Sequence, residues 1–475
     1  MKNKLLKNGL YNTIAGVIRL GLSLLTVPVL INLMGVEEYG LWALASAVVA
    51  VVLLAEAGLS IATTVYVAQV DKKDANSLSQ ILTVSFGGML ILATTFMLLL
   101  FLSSEPISAF FPRLEAQQRQ TLVSTLQIAS LAVWIRLMQQ VFVGVEQAYE
   151  RYGLMNLLNT IQWVLLNCGL CIIAWLGGRT FELMEWLVAC NFAILICHAS
   201  VIKSLLKGIK IRFLWDNTTG LNIIKHSLNS WIATLGVVLF LKCDRLIVAS
   251  ILGSKVLGVY AAITDAVGAI HLFSALPVQP LLPYISQHQE KKVHNLDLRK
   301  YVQQSLALNA LLAIILGTSL YIFSPIIMNI MLKESATENI IMSFKLAIII
   351  YTLYSLNAVG YFILLNIAVK KMMIIILFSS VLTLLLIAFG AKYFGLIGAI
   401  LGNGVYIITI WMNAIALSLL GLSKKIWFNS MKLPFYLMSV FLIIISINNI
   451  YLNICFVILQ LIAAFVWFYQ RIIYT

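Results

Sequence analysis

The sequence is poor in charge and has no long polar stretch. Only 11% of its 475 residues are Asp, Glu, Lys or Arg, whereas 61% are hydrophobic. The polar connections between apolar segments are short, none longer than about 25 residues, which excludes a soluble catalytic or binding domain. This composition is typical of a polytopic membrane protein.

The alternation of apolar and polar residues that membrane-spanning strands require is also missing. The apolar runs are continuous instead, as in MMIIILFSSVLTLLLIAF from Met372 to Phe389. A helix needs about 20 apolar residues to cross the hydrocarbon core. We therefore predict an all-α polytopic membrane protein with about 14 transmembrane helices. The predicted spans are 11–34, 41–67, 80–103, 121–145, 153–176, 183–206, 227–252, 257–282, 302–324, 341–367, 372–391, 395–420, 433–449 and 452–470.

Cysteine is scarce, and its 6 copies all fall inside predicted spans. Cys168 and Cys171 form a C-x-x-C pair, but no second pair lies at the spacing of metal ligands. We therefore predict neither a disulfide framework nor a metal site, and no cofactor.

Acidic residues are outnumbered by basic ones, 18 against 32, which gives a net charge of +14. Basic residues close to a span resist translocation, and most of them fall in cytoplasmic segments if both termini lie inside. The excess charge therefore predicts topology, with loops attracted to anionic membrane lipids. No basic stripe with interleaved aromatic residues is present, so we expect no nucleic-acid partner.

One internal repeat stands out, LMGVEEYGLWAL at 33–44 and ILGSKVLGVYAA at 251–262. The matching residues are Gly35, Gly40 and Trp42 in the first copy and Gly253, Gly258 and Tyr260 in the second. Six spans separate the copies, so both face the same side, as in a parallel repeat of two six-helix lobes. We predict lobes at 1–212 and 213–425 and two peripheral helices at 426–475. A simple preference of short outer loops for glycine is the alternative interpretation.

Charged residues inside predicted spans are few and each costs about 2.5 to 3.5 kcal/mol on insertion scales. Those at least seven residues from either end of a span are Arg19, Glu56, Arg136, Lys242, Asp244, Arg245 and Asp265. Lys242 and Arg245, three residues apart, share a helix face, so Asp244 cannot neutralise both. These side chains either line a shared aqueous passage or form interhelical ion pairs that only fix the packing, such as Arg19 with Glu56 or Arg245 with Asp265.

Polar and helix-breaking residues accompany these charges. Gln139 and Gln140 extend the face of Arg136 with groups suited to water or sugar hydroxyls. Glu56 precedes Gly58 and Asp265 precedes Gly268, which predicts close helix approach or flexure beside each carboxylate. The prolines in spans 1 and 8 predict kinks; they are Pro28, Pro277 and Pro280. Two histidines are weaker functional candidates, His198 and His271.

The opening segment GLYNTIAGVIRLGLSLLTVPVLINLMGVEEYGLWALASAVVAVVLLAEAGLS resembles that of bacterial polysaccharide flippases. These are the Wzx-type O-antigen translocases of the multidrug, oligosaccharidyl-lipid and polysaccharide exporter superfamily. Arg19, Pro28, the 35–42 loop and the acidic Glu56 carry the resemblance, together with DRLIVASILGSKVLGVYA and VEQAYERYGLMN. The family often has Asp-x-Gly where this chain has Glu56.

This resemblance implies a MATE-like fold in the bacterial inner membrane and a transporter in place of an enzyme. The implied cargo is an undecaprenyl-pyrophosphate-linked oligosaccharide, such as an O-antigen repeat unit of lipopolysaccharide, with a polysaccharide polymerase and a chain-length regulator as partners. The implied substrate cavity consists of Arg19, Arg136, Gln139, Lys242 and Arg245. Proton or ion coupling is assigned to Glu56, Asp244 and Asp265.

Three other functions stay open at this point. A drug or cation exporter and a peptidoglycan-precursor flippase belong to the same superfamily. A membrane-embedded polysaccharide polymerase or ligase would act as an enzyme on the same lipid carrier. Such enzymes generally need a large outer loop, and here the outer loops are short.

Overall fold

The computed structural model describes residues 21–22, 25–71, 73–281, 285, 296–423, 425–446 and 450–469. Within these ranges the regular elements are helices. Nine helical stretches among the described residues are long and apolar enough to cross a membrane, and two shorter apolar helices accompany them. The predicted all-α polytopic class is therefore confirmed. One stretch, Val369–Leu419, contains two of the predicted spans.

The helices up to the middle of the chain form nine elements, with a 3₁₀ turn at Leu53–Glu56 between the second and third. They are α1 (Leu25–Met34), α2 (Val36–Val52), α3 (Leu59–Gln69), α4 (Ala75–Leu102), α5 (Ser104–Ala109), α6 (Ala116–Ala148), α7 (Tyr152–Trp175), α8 (Thr180–Leu205) and α9 (Asn217–Ala275).

The remaining helices include a second, longer 3₁₀ segment at Asn403–Ile410. They are α10 (Leu296–Ile322), α11 (Ser324–Leu332), α12 (Glu338–Ser355), α13 (Ala358–Ile367), α14 (Val369–Gly402), α15 (Trp411–Leu419), α16 (Lys425–Ser446) and α17 (Ile450–Phe468). The chain divides into two compact units, Met1–Val259 and Tyr260–Thr475.

The core of the first unit is built around α6. Leu122, Leu126, Val133, Leu137 and Val141 are fully buried at spacings that fall on one helix face. Lipid is as apolar as these side chains, so close packing and hydrogen bonds stabilise the helix contacts. The packing of α6 fixes the position of the polar residues that the same helix carries.

Glycine allows α6 to approach α3 closely. A Cβ atom on Gly144 would lie 2.8 Å from the backbone oxygen of Ser60. The hydroxyl of Thr64 donates to the Gly144 carbonyl at 3.1 Å. A larger side chain at Gly144 would separate the two helices.

The second predicted span is broken near its centre. Ala57 and Gly58 both have left-handed backbones, with φ of 50° and 71°, which confirms the flexure predicted at Gly58. A break inside a membrane frees carbonyl groups that must find donors. Trp231 of α9 donates its indole N–H to the Leu54 carbonyl at 2.6 Å, and the Ser227 hydroxyl donates to the Ala57 carbonyl.

Breaks in the second unit are satisfied by asparagine side chains. Asn413 accepts a hydrogen bond from the Gly360 N–H at 2.8 Å and donates to the Leu356 carbonyl at 2.7 Å. Asn357 donates to the Thr409 hydroxyl at 2.7 Å. These bonds hold the short α13 between α12 and the 3₁₀ segment.

Of the expectations about interruptions in span 8 and before it, one is confirmed and two are wrong. Predicted spans 7 and 8 meet at Gly253, whose non-helical backbone separates the two helices that together make up α9, so their expected boundary is confirmed. Pro277 lies in a 3₁₀ turn, Leu276–Val278, that ends α9, so it terminates a helix and does not kink one. A Cβ on Gly268 would meet no atom within 4 Å, and the helix continues through that position, so neither close approach nor flexure occurs beside Asp265.

Candidate functional site

Arg136 lies at the centre of a polar network that joins three helices of the first unit. Its guanidinium donates to the side-chain oxygens of Gln139 on α6 and Gln162 on α7, both at 3.1 Å. Gln139 also donates to Gln162 at 3.1 Å, and Gln162 donates to Asn191 of α8 at 2.7 Å. The sequence analysis placed Gln139 on the same helix face as Arg136, and the two side chains are hydrogen-bonded, whereas Gln162 and Asn191 were not predicted.

A cavity of about 170 Å³ adjoins this network. Arg136, Gln162 and Asn191 supply its polar wall, and the indole of Trp163 lies among its lining residues. The other lining residues are apolar, as is usual where a few polar groups orient a ligand. The cavity thus combines a cation, amide groups and an aromatic ring within the first unit.

No carboxylate of the described residues forms a direct ion pair with Arg136. Its hydrogen bonds among the described residues go to carboxamide oxygens. Glu56 is close enough for its charge to interact with that of Arg136, but its carboxylate accepts a hydrogen bond from Ser60. Because neutral amides hold the guanidinium in place, its positive charge is available to an anionic ligand.

The three ionisable residues near the middle of α9 are placed differently from one another. Asp244 and Arg245 are buried, with 4% and 7% of their surface exposed, whereas Lys242 is half-buried. All three belong to the first unit, as do Glu56 and Arg136. Whether they share one passage with Arg136 stays a prediction.

The remaining predicted site residues fall elsewhere. Asp265 is half-buried on the part of α9 that belongs to the second unit. Arg19 lies outside the described residues, so its assignment and its pairing with Glu56 stay predictions. His271 packs its ring against Tyr354 in the second unit, with ring centres 4.4 Å apart.

A buried acid–histidine pair lies two helical turns from the Arg136 network. The Nδ1 atom of His198 is 2.7 Å from Oε1 of Glu146, and both side chains are fully buried. Glu146 follows Gln139 by seven residues and His198 follows Asn191 by seven, about 10 Å along α6 and α8. Sequence reasoning missed Glu146 because predicted span 4 ended at residue 145; the helix continues to Ala148.

The two repeated segments have the same local conformation and contact each other. Gly35 has φ 90° and ψ 158°, and Gly253 has φ 83° and ψ 178°, values that favour glycine. A Cβ on Gly40 would collide with the backbone oxygen of Ser254, and a Cβ on Gly258 would collide with that of Val36. Each copy therefore contacts the equivalent position of the other, as expected of a true repeat.

Comparisons with known proteins agree on family and fold. A family model described as polysaccharide biosynthesis protein matches residues 5–289. No curated protein matches the sequence.

Solved structures resemble the chain over most of its length. A lipid II flippase MurJ in an inward closed conformation aligns with a TM-score of 0.71 at 15% identity, covering 98% of this chain and 100% of that one. An inward-facing MATE multidrug transporter of the MOP superfamily aligns with a TM-score of 0.63 at 14% identity, covering 86% and 99%. A MOP superfamily transporter from Pyrococcus furiosus gives 0.53 at 14% identity, covering 88% and 97%. At these identities the likeness concerns the fold.

Proposed function

The chain belongs to the family of polysaccharide biosynthesis proteins, and from that premise we propose that it moves a lipid-linked oligosaccharide across the membrane. The proposed cargo is an undecaprenyl-pyrophosphate-linked repeat unit, of O-antigen or another surface polysaccharide, and the proposed location is the bacterial inner membrane with both termini in the cytoplasm. Membrane lipids surround the cargo, and a polymerase and a chain-length regulator are the partners that would use it.

The observation that carries this proposal is the Arg136 network. An arginine inside an apolar helix is costly, and such residues usually serve a watery cavity or a ligand. Here the guanidinium is held by Gln139 and Gln162 beside a cavity that also exposes Asn191 and Trp163. Guanidinium suits phosphate oxygens, while amides and an indole suit sugar hydroxyls and apolar sugar faces.

The proposed mechanism is alternating access. The pyrophosphate and sugars enter a passage lined by Arg136 and Gln139, to which we also assign Arg19, Lys242 and Arg245, while the polyprenyl chain stays outside this passage. Glu56, Asp244 and Asp265 are the proposed sites for proton or ion coupling, because a carboxylate in a cavity of low dielectric binds protons more readily than one in water. The reciprocal contact at Gly40 and Gly258 keeps the two repeated segments together on their side of the membrane while the passage is open on the opposite side.

The test compares substitutions of Arg136 in proteoliposomes that contain a fluorescent lipid-linked glycan. Arg136→Gln removes the charge but retains an amide, and we expect about tenfold slower translocation or worse, because hydrogen bonds to a charged group contribute about 1.5–3 kcal/mol. Arg136→Lys keeps the charge but lacks the planar pair of donors, and its translocation rate should lie between those of Arg136→Gln and the wild type.

The matched control is Arg151→Gln, which removes an exposed arginine from the start of α7. Its rate should equal that of the wild type. Full activity of Arg136→Gln in folded protein would exclude the network as part of the cargo path.

The sugar specificity can be tested separately, because one similar structure is named as a lipid II flippase. Complementation of cells that lack their own lipid II flippase distinguishes a peptidoglycan precursor from a surface-polysaccharide unit. We expect no rescue of the cells that lack a lipid II flippase. In cells that lack their polysaccharide flippase, we expect the chain to restore export of the surface polysaccharide.

A further inference from the structure

An apolar groove of about 480 Å³ lies on the first unit, between α4 and the start of α9. Its lining includes Leu59, Val84, Gly87, Phe213, Trp215 and Leu228. Phe213, Trp215 and Leu228 have 82%, 59% and 47% of their surface exposed. We propose that this groove binds the first isoprene units of the polyprenyl chain of the cargo lipid. This inference rests on the proposed function.

The wall of the groove is a segment without helical structure. Residues 209–216 run along α4, where the Arg212 N–H donates to the Ser79 hydroxyl and the Leu214 N–H donates to the Thr83 hydroxyl, both at 3.1 Å. These bonds satisfy backbone donors that lipid could not satisfy. The wall is therefore fixed to α4 and holds Phe213 and Trp215 over the groove.

Two adjacent glycines make the floor wide. A Cβ on Gly87 would meet no atom within 4 Å, and a Cβ on Gly88 would only touch Leu59 at 3.4 Å. From Thr83 to Leu92, both lining residues, the floor extends about 13 Å along α4. A polyprenyl chain carries a methyl branch on every fourth carbon and needs more width than a linear acyl chain, and the missing side chains supply it.

The segment that forms the wall of the groove is basic, and we assign its cations to the mouth of the groove. The segment 207–225 contains four exposed basic residues and one acidic residue, Asp216. The basic residues are Lys207, Lys210, Arg212 and Lys225. Asp216 caps α9, and its hydrogen bond from the Thr218 hydroxyl lowers the pKa of its carboxyl group, so this carboxylate stays ionised and engaged at the helix start.

The cations fit the pyrophosphate of the cargo. A lipid that combines a diphosphate head with a branched chain matches both parts of the site, the cations at the mouth and the wide apolar floor. The mouth lies on the side that we assign to the cytoplasm, the leaflet from which the cargo would be taken. The groove would thus hold the chain, and the cations would attract the diphosphate before it enters the passage at Arg136 with the sugars.

Photo-crosslinking tests this site directly. The probe is a photoreactive polyprenyl diphosphate without sugar, added to the full chain in nanodiscs of phosphatidylethanolamine and phosphatidylglycerol. We expect labelled peptides from 83–92 and 213–228. Gly87→Leu fills the groove and should reduce labelling there about tenfold. Leu98→Phe, on the same helix and 50% exposed but outside the groove, should leave it unchanged.

A second variant tests the site without changing the packing of α4 at Gly87. The double substitution Lys210→Gln and Arg212→Gln lies on exposed residues, and it should weaken labelling by the diphosphate but not by an uncharged photoreactive polyprenol. Equal labelling of wild type and both variants would overturn the proposal. The proposal would also be overturned if excess phosphatidylglycerol reduced the labelling as strongly as unlabelled polyprenyl diphosphate does. The groove would then bind ordinary bilayer lipid.

This binding assay separates the groove from the proposed function. If wild-type protein translocates the glycan but is labelled elsewhere, the groove is excluded and the flippase stands. If the groove is labelled as predicted but no glycan is translocated, the groove stands as a polyprenyl diphosphate site and the flippase proposal fails.

Discussion

At the scale of single residues, polar side chains inside the membrane differ in how they are satisfied. Arg136 is held by neutral amides beside a cavity, whereas Glu146 and His198 pair through Oε1 and Nδ1 in full burial. A ligand in the cavity can reach the charge of Arg136, whereas the Glu146–His198 pair is fully buried and does not line that cavity. We therefore assign transport to the Arg136 network and a structural role to the Glu146–His198 pair.

Removing Glu146 should destabilise the protein. In Glu146→Ala the buried Nδ1 atom of His198 loses its partner, which costs about 1–3 kcal/mol of unfolding free energy. Glu146→Gln retains a side-chain oxygen at this position, so its unfolding free energy should decrease less than that of Glu146→Ala. Thermal unfolding in detergent measures both variants, and equal stability of the alanine and glutamine variants would contradict this role.

The sequence predicted some of these residues and not others, for a physical reason. Arg136 is recognisable because a charge in an apolar run is costly. Gln162 and Asn191 are neutral, and no spacing along the chain links them to Arg136, since they lie 26 and 55 residues away on other helices. Only the packing of α6, α7 and α8 brings them together.

At the scale of elements, the helices were predictable and their breaks were only partly so. The apolar runs identify the spans because each must cross the same hydrocarbon thickness. The break at Gly58 was expected from the glycine beside Glu56, and the structure has it. The predicted spans also meet close to Gly253 and Gly395, which are single non-helical residues, whereas the flexure expected at Gly268 does not occur.

The reciprocal glycine contact makes a prediction about the paired repeats. In Gly40→Val the new side chain pushes α2 away from Ser254, at an overpacking cost of about 1–3 kcal/mol. We therefore expect the state in which the two repeated segments are separated to be populated about tenfold more. A cysteine placed at Ser254, which is 3% exposed, in a variant without native cysteines should then react faster with a membrane-impermeant maleimide.

Gly153→Val is the control for this experiment, because a Cβ at Gly153 meets no atom within 4 Å. Its labelling rate should match that of the parent protein. If Gly40→Val and Gly153→Val label the cysteine at the same rate, the contact does not hold the repeated segments together.

At the scale of the whole molecule, the family and the fold agree with the resemblance seen in the sequence. The family model covers 5–289, and the fold is that of MurJ and MATE transporters. The charge of +14 predicts topology, because most basic residues fall in segments that would be cytoplasmic if both termini lie inside. The identity of the cargo depends on the side chains that line the passage. These side chains come from helices far apart in the sequence, so the sequence alone predicts poorly which of them lie together.

The central claim is that the cargo is an anionic lipid-linked glycan and not a cationic drug. The most direct measurement compares both cargoes in the same proteoliposomes, as the initial rate at which a fluorescent polyprenyl-diphosphate glycan and a rhodamine-type cation cross the membrane. We predict translocation of the glycan above the rate of protein-free vesicles and no transport of the cation. Transport of the cation without the glycan would contradict the account.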